Sequence, residues 1–194
     1  MPPTLGSGIL PVEARERINS ASAALVGERG ASALTHRQVD ARAGLPIGST
    51  SNYFRTKAAL LKGAIEGVIT RESPLLEVVR SVDTRDELQA GLLGYVRAVT
   101  GEEMQAVKAA RIALFLEGRH DPELRAWVAE ARRGYAVVLS EALERLGANA
   151  PDAGATALMA VVEGSIVAIT CTPAEDPSPG ISVVLDGIFR QSGD

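Results

Sequence analysis

Only one cysteine, Cys171, occurs in 194 residues, so no internal disulfide can form and a reducing compartment suits the chain. Aromatic residues make up 4% of the sequence, although hydrophobic residues as a whole reach 46%. A β-sandwich would want more valine, isoleucine and aromatics, so this composition favours helices packed through small side chains. Histidine is scarce too, and His36 and His120 stand far apart. No paired His/Cys spacing, nucleophile elbow or phosphate loop is present, which leaves no cofactor, no metal and no catalytic residue to expect. The opening segment, MPPTLGSGILPVEARER, has proline and glycine where a leader would be apolar. The longest apolar run, 155–171, is broken by Glu163 and is short for a membrane span. These absences predict a soluble, cytoplasmic, all-α protein with no membrane partner.

Positive charge is also short overall, with a net charge of −4, but it is unevenly spread. Residues 1–72 hold nine Lys/Arg against six Asp/Glu, a balance of +3, while 73–194 hold eleven against eighteen, a balance of −7. Between Thr35 and Lys62, five basic residues meet a single acid, Asp40. A basic island on an acidic chain points to contact with a polyanion, or is simply a solvated face.

Helix signals recur along the whole length. Ile18, Ala21 and Leu25 fall at helical spacing between Val12 and Arg29, and Gly30 follows as a stop. Thr35 and Gln38 form a capping-box pattern for a short helix that ends near Gly44. Leu45-Pro46 is expected to restart the chain in a helix, and Thr56 to cap another from Lys57 to Arg71, stopped by Ser73-Pro74. Further capping boxes appear at Thr84/Glu87 and Thr100/Glu103, and Asp121-Pro122 opens a helix to Leu146. Asp152 opens an apolar helix to Cys171; a proline-rich loop, 172–180, and a last helix from Ile181 to Arg190 follow. The expected division is a flexible tail over 1–11, a first domain over 12–56, a connecting helix over 57–72 and a second domain over 73–194.

The stretch AGLPIGSTSNYFRTK, 43–57, sets weak helix formers between two good helices and ends on aromatics and positive charge. Two short helices joined by a glycine-containing turn describe a helix-turn-helix, whose second helix meets DNA with its first residues. There, Gly48 permits close backbone approach, while Ser49, Thr50, Ser51 and Asn52 offer short donors and acceptors. Tyr53 adds a phosphate-seeking hydroxyl, Phe54 a core anchor, and Lys57 charge beside free helix amides. The alternative is an ordinary polar loop.

The residues on either side decide for the first reading. Ile18, Ala21, Leu25 and Glu28-Arg29-Gly30, then Thr35, Arg37, Val39 and Ala43-Gly44, then Gly48-Ser49, Tyr53-Phe54, Lys57 and Ala59-Leu60-Leu61 follow one another without gaps. From Arg17 to Leu61 the chain resembles the N-terminal domain of TetR-type transcriptional regulators. The resemblance implies a three-helix reading domain, with the first turn of its second helix (Thr35, His36, Arg37, Gln38) and Ile47 added to the DNA contacts, and His36 as a phosphate donor. Two positions depart from the family pattern: Ser51 stands where tyrosine is frequent, and Asp40 where a small apolar residue is usual. Asp40 is expected either to pair with Arg37 or Arg42, or to lie solvated.

For the remainder, the resemblance implies a larger helical domain that binds a small-molecule effector and joins two copies of the chain. Arg97, Met104, Arg111, Phe115, Trp127, Tyr135 and Glu163 are the expected cavity residues; four of them, Met104, Phe115, Trp127 and Tyr135, could equally fill the core. Glu163, a carboxylate in an apolar helix, must be paired, protonated or turned to a wet cavity. The small residues Ala157, Ala160, Gly164, Ala168 and Cys171 form a stripe on which a partner helix could close, beside a second stripe of Leu158, Val162, Ile166 and Ile169. Cys171 is expected to pack as a small hydrophobe, with redox sensing as the alternative. The resulting expectation is a homodimeric repressor that binds a near-palindromic double-stranded DNA operator and is released by a small ligand. The alternatives are a helical protein-interaction module and an enzyme.

Overall fold

The computed structural model describes residues 11–172 and 176–190. Among them every regular element is helical: α1 (Pro11–Arg29), α2 (His36–Ala43), α3 (Ser49–Tyr53), α4 (Lys57–Arg80), α5 (Arg85–Thr100), α6 (Gln105–Glu117), α7 (Pro122–Arg145), α8 (Pro151–Cys171) and α9 (Ser178–Arg190). Short 3-10 turns lie at Ala31–Ala33 and Glu102–Met104. The expected tail over 1–11 falls almost entirely outside the described residues, as does the middle of the expected proline-rich loop, 173–175.

Side-chain caps begin most of these helices where the sequence carries them. Thr35 accepts from the Gln38 amide, Thr56 from the Ala59 amide, and Asp121 from the amides of Glu123 and Leu124, ahead of Pro122. Thr84 and Glu87 make the full reciprocal box. The expected box at Thr100/Glu103 does not form. Thr100 lies in the last turn of α5 and donates to the Val96 carbonyl, and Gly101 precedes a 3-10 turn instead. Gln38 does not complete its box either, since its Oε1 has no partner among the described residues.

The largest departure from the sequence expectation is α4. It does not stop at Ser73-Pro74 but runs on to Arg80. Pro74 lies on the exposed side, and so does Thr70, whose carbonyl the missing amide would have met, so no buried gap results. Continuing the helix buries Leu76 and Val79 in line with Leu61, Ile65, Val68 and Glu72. That burial outweighs the local cost of proline. Nor does Pro46 sit in a helix, because α3 starts only after Gly48. Helix α8 begins at Pro151, one residue before Asp152, and α9 at Ser178 rather than Ile181. At 21 residues α8 is, by length and composition alone, able to cross a membrane, which corrects the expectation that it is too short. In the fold its Leu158, Val162 and Ile166 are buried.

Two hydrophobic clusters result. The first joins Ile18, Leu25, Val39, Phe54 and Leu60 with Val107 and Leu114 of α6. The second holds Val79, Leu92, Leu139, Leu143, Leu158, Ile166, Ile181 and Leu185. Helix α4 contributes its first half to one and its second half to the other. Helix α6 crosses α1 so closely that a Cβ on Gly27 would sit 1.8 Å from the Ala106 carbonyl oxygen. The first cluster therefore depends on a helix that lies far along the chain.

Candidate nucleic-acid interface and buried polar cluster

Helices α2 and α3 are held in one pose by hydrogen bonds from Asp40, His36 and Arg17. Gly44 and Gly48 take left-handed backbone angles, φ 63° and 91°, which turn the chain out of α2 and into α3. Asp40, only 1% exposed, supplies the cap that α3 lacks at its own N-terminus. Its Oδ2 accepts from the Gly48 amide at 2.7 Å, and its Oδ1 from the Thr50 amide at 2.7 Å and the Thr50 hydroxyl at 2.5 Å. Burial alone would raise the Asp40 pKa, but the Thr50 and Gly48 hydrogen bonds and the nearby His36 together hold it below the usual carboxylate value. His36 Nε2 meets the Phe54 carbonyl at 2.6 Å, tying the end of α3 to the start of α2. Arg17 of α1 donates to the carbonyls of Ala43 and Gly44.

These bonds revise two expectations. Asp40 pairs with neither Arg37 nor Arg42 and is not solvated; Arg42 binds Glu28 instead, and Arg37 is exposed. The Thr50 side chain is fully buried and committed to Asp40. Ile47, Gly48, Ser51, Asn52 and Tyr53 face outward, with Ile47 85% exposed, and Ser49 is half-buried. Thr35, Arg37 and Lys57 are exposed as well, while His36 and Gln38 are half-buried. Within the basic island Arg42 is paired with Glu28, and Lys62 stacks on Trp127. Arg37, Arg55 and Lys57 are exposed and have no ion pair among the described residues; Arg55 belongs to the basic island but is not among the expected DNA contacts.

A separate buried polar cluster gathers Arg111, Phe115, Tyr135 and Glu163, and it adds three residues absent from the sequence expectation: Glu72, Tyr95 and Arg132. Glu72 is fully buried. Its Oε2 accepts from Arg111 at 2.7 Å, Tyr135 at 2.9 Å and Tyr95 at 3.1 Å. Arg111 also reaches Glu163 at 3.3 Å, and Arg132 bonds the other oxygen of Glu163. Burial opposes charge on Arg111, yet the Glu72 carboxylate and the tyrosine oxygens around it lift its pKa above the ordinary value. Burial, then the Glu72 charge, push Tyr95 and Tyr135 upward, so both remain neutral donors. Arg111 and Arg132 both lie near the face of the Phe115 ring.

Glu72 could have been found in the sequence by the argument applied to Glu163. It continues the apolar spacing of Leu61, Ile65 and Val68, but stopping the helix at Ser73-Pro74 left it at a helix end, where a carboxylate is expected to be solvated. The other expected cavity residues lie apart. Arg97 is exposed on α5, and Met104 is buried in the first cluster. Trp127 lines a cleft of about 460 Å³ between α4 and α7, together with Lys62, Ile69, Leu76, Tyr135 and Val138. Along α8, Ala157, Ala160, Gly164 and Cys171 are exposed and Ala168 is half-buried, so one face of the helix stands open while the other is packed. Cys171 is thus not packed as a core hydrophobe within one copy of the chain, because it ends the outward stripe.

Two sequence families match these two regions. Residues 18–64 match the family described as bacterial regulatory proteins, tetR family, and residues 83–191, more than half the chain, match the tetracyclin repressor-like C-terminal domain. The chain belongs to the TetR family of transcriptional regulators. Solved structures agree in fold. A TetR-family member from Streptomyces coelicolor A3, SCO1917, is 26% identical with TM-score 0.71, covering 91% of this chain and 98% of its own. The multidrug binding protein EbrR, solved with ethidium, is 26% identical with TM-score 0.69, covering 91% and 99%. A transcriptional regulator from Rhodococcus sp. Rha1 is 20% identical with TM-score 0.73, covering 91% and 96%. No curated protein matches the chain. As a TetR-family member, the chain carries the family's DNA-binding helix-turn-helix domain within residues 18–64, which include α2 and α3.

Proposed function

We propose that this TetR regulator is a homodimeric repressor, released from a near-palindromic operator by a small organic effector. The observation that carries the reading is the course of α4. That helix starts at Lys57, immediately after the reading helix, and runs unbroken to Glu72 and beyond, so one rigid rod joins the DNA-facing unit to the buried polar cluster. A molecule that rearranges Glu72 and its partners would move the rod and change the spacing of two reading helices. The ethidium bound by EbrR supports a small organic effector of some kind.

In this reading Arg37, Ser51, Asn52, Tyr53, Arg55 and Lys57 face the DNA. Asp40, Thr50 and His36 hold the reading helix rather than touch bases. The open face of α8, with Val167 44% exposed beside the small stripe, is where the second copy docks. The division at 57–72 then separates reading from sensing, although α6 packs on both sides of it.

Selection of bound fragments from randomised DNA, by the purified chain, tests the proposal. A two-fold symmetric consensus with half-sites about 34–36 Å apart, or a multiple of that, is the expected result. Recovery of an asymmetric site, or of no preferred sequence, counts against it.

A further inference from the structure

Glu72 presents an imbalance that the protein does not resolve by itself. Its Oε2 accepts three hydrogen bonds, yet no donor of a described residue reaches Oε1, and both atoms are buried. A buried carboxylate oxygen without a donor is costly, and such atoms are rare in folded chains. Glu72 borders a small cavity of about 40 Å³, whose other walls include Val68, Leu114, Phe115, Val128 and Arg132. Ile65, Ala131 and Tyr135 line both that space and the 460 Å³ cleft between α4 and α7, so these side chains are what separates the two.

Charge and size restrict what could supply the missing donor. The formal charges of Glu72 and Glu163 cancel those of Arg111 and Arg132. An ammonium head would leave a net positive charge in a desolvated cluster, and a carboxylate head a net negative one, each at substantial cost. An ionised carboxylate also has no proton to give Oε1. The space beside Glu72, about 40 Å³ against the roughly 30 Å³ that one water occupies in the liquid, has room for a hydroxyl. The cleft behind it offers Ile69, Leu76, Trp127 and Val138 to an apolar or aromatic body.

We infer that the effector is a neutral, apolar molecule ending in one hydroxyl, a phenol or alcohol, which donates its hydroxyl proton to Glu72 Oε1 while its body lies in the cleft between α4 and α7. This rests on the effector reading above and gives that site its ligand class. The cancelled charges of the cluster select against both ionic classes, so the discrimination is electrostatic and the body is chosen by shape alone.

Calorimetric titration of the full chain with four matched probes tests this: p-phenylphenol, p-phenylanisole, p-phenylbenzoate and p-phenylbenzylammonium. The phenol should bind at least about tenfold more tightly than each of the others, the ether because it leaves Oε1 without a donor. Two variants should redirect the preference in opposite senses. Glu72→Gln makes the cluster net positive, so the benzoate should gain on the phenol about tenfold; Arg132→Gln makes it net negative, so the ammonium should gain. Arg132 has 40% of its side chain exposed, which keeps the second variant folded if the first is not.

Equal binding of ether and phenol, tighter binding of either ion to the unaltered chain, or no binding of the phenol overturns the assignment. So does a crystal grown with the phenol that holds only water at Oε1. Operator retention is followed alongside. Intact, sequence-selective retention without phenol preference removes the ligand class alone. A phenol that binds as expected but leaves operator retention unchanged removes the release reading and keeps the ligand class.

Discussion

At the residue scale, Asp40 does what the α3 segment cannot do for itself. A five-residue helix has too few internal hydrogen bonds to persist alone, and its amides at Gly48 and Thr50 need an acceptor. Asp40→Ala should cost about 2–3 kcal/mol of stability through those stranded donors, and operator affinity should fall with little change in salt dependence. Denaturant unfolding and filter binding at several salt concentrations measure the two effects. The sign with pH follows from the lowered pKa. The contribution of Asp40 is fully present above the ordinary carboxylate pKa and is lost as pH falls through its depressed folded value. The stability gap between the unaltered chain and Asp40→Asn should therefore narrow on acidification, and a gap that widens would contradict the cap. Lys57, exposed and without an ion pair among the described residues, belongs to a different class of contact. Lys57→Ala should weaken all DNA sequences alike and lower the salt slope by about one, whereas a shifted base preference would remove it from the phosphate set.

At the scale of the element, α8 carries two faces with opposite fates. Leu158, Val162 and Ile166 are buried against the body of the domain, while Ala157, Ala160 and Gly164 stand open, and a Cβ on Gly164 would meet nothing within 4 Å in a single copy. Gly164→Trp should thus leave the isolated fold intact by circular dichroism. If a second α8 closes on that stripe, the indole forces it away, and sedimentation should report a smaller species that no longer binds the operator at micromolar concentration. A dimer of normal affinity would move the interface off this face. The neighbouring residue Glu163, on the same helix, points the other way and is paired with Arg111 and Arg132. The helix thus joins the open face to the polar cluster.

At the scale of the whole molecule, the contact between α1 and α6 matters most for communication. Backbone, not a flexible side chain, opposes Gly27, since the Ala106 carbonyl lies 1.8 Å from where a Cβ would be. Gly27→Ala should force α6 away from α1, cost about 1–3 kcal/mol by overpacking, and alter the response of DNA binding to ligand more than the affinity for ligand itself. Parallel titrations of ligand and operator separate these effects. An unchanged coupling with lowered stability would make this crossing purely structural.

What the sequence determined by itself is the local grammar and the family. Caps at Thr35, Thr56, Thr84 and Asp121, and the run from Arg17 to Leu61, depend on residues a few positions apart, and such interactions survive without knowledge of the rest. The outward stripe on α8 was visible for the same reason, as pure helical periodicity. What only the tertiary structure decided depends on distant partners. Pro74 ends a helix in isolation but not when Leu76 and Val79 have a core to enter. Asp40 finds its donors across a turn, after two glycines have reversed the chain. Glu72 meets Tyr95, Arg111 and Tyr135, residues 23, 39 and 63 positions away, so its role exists only where three helices converge on it. Burial creates that convergence, and in a desolvated interior it makes a pattern of charges binding that in water would be loose.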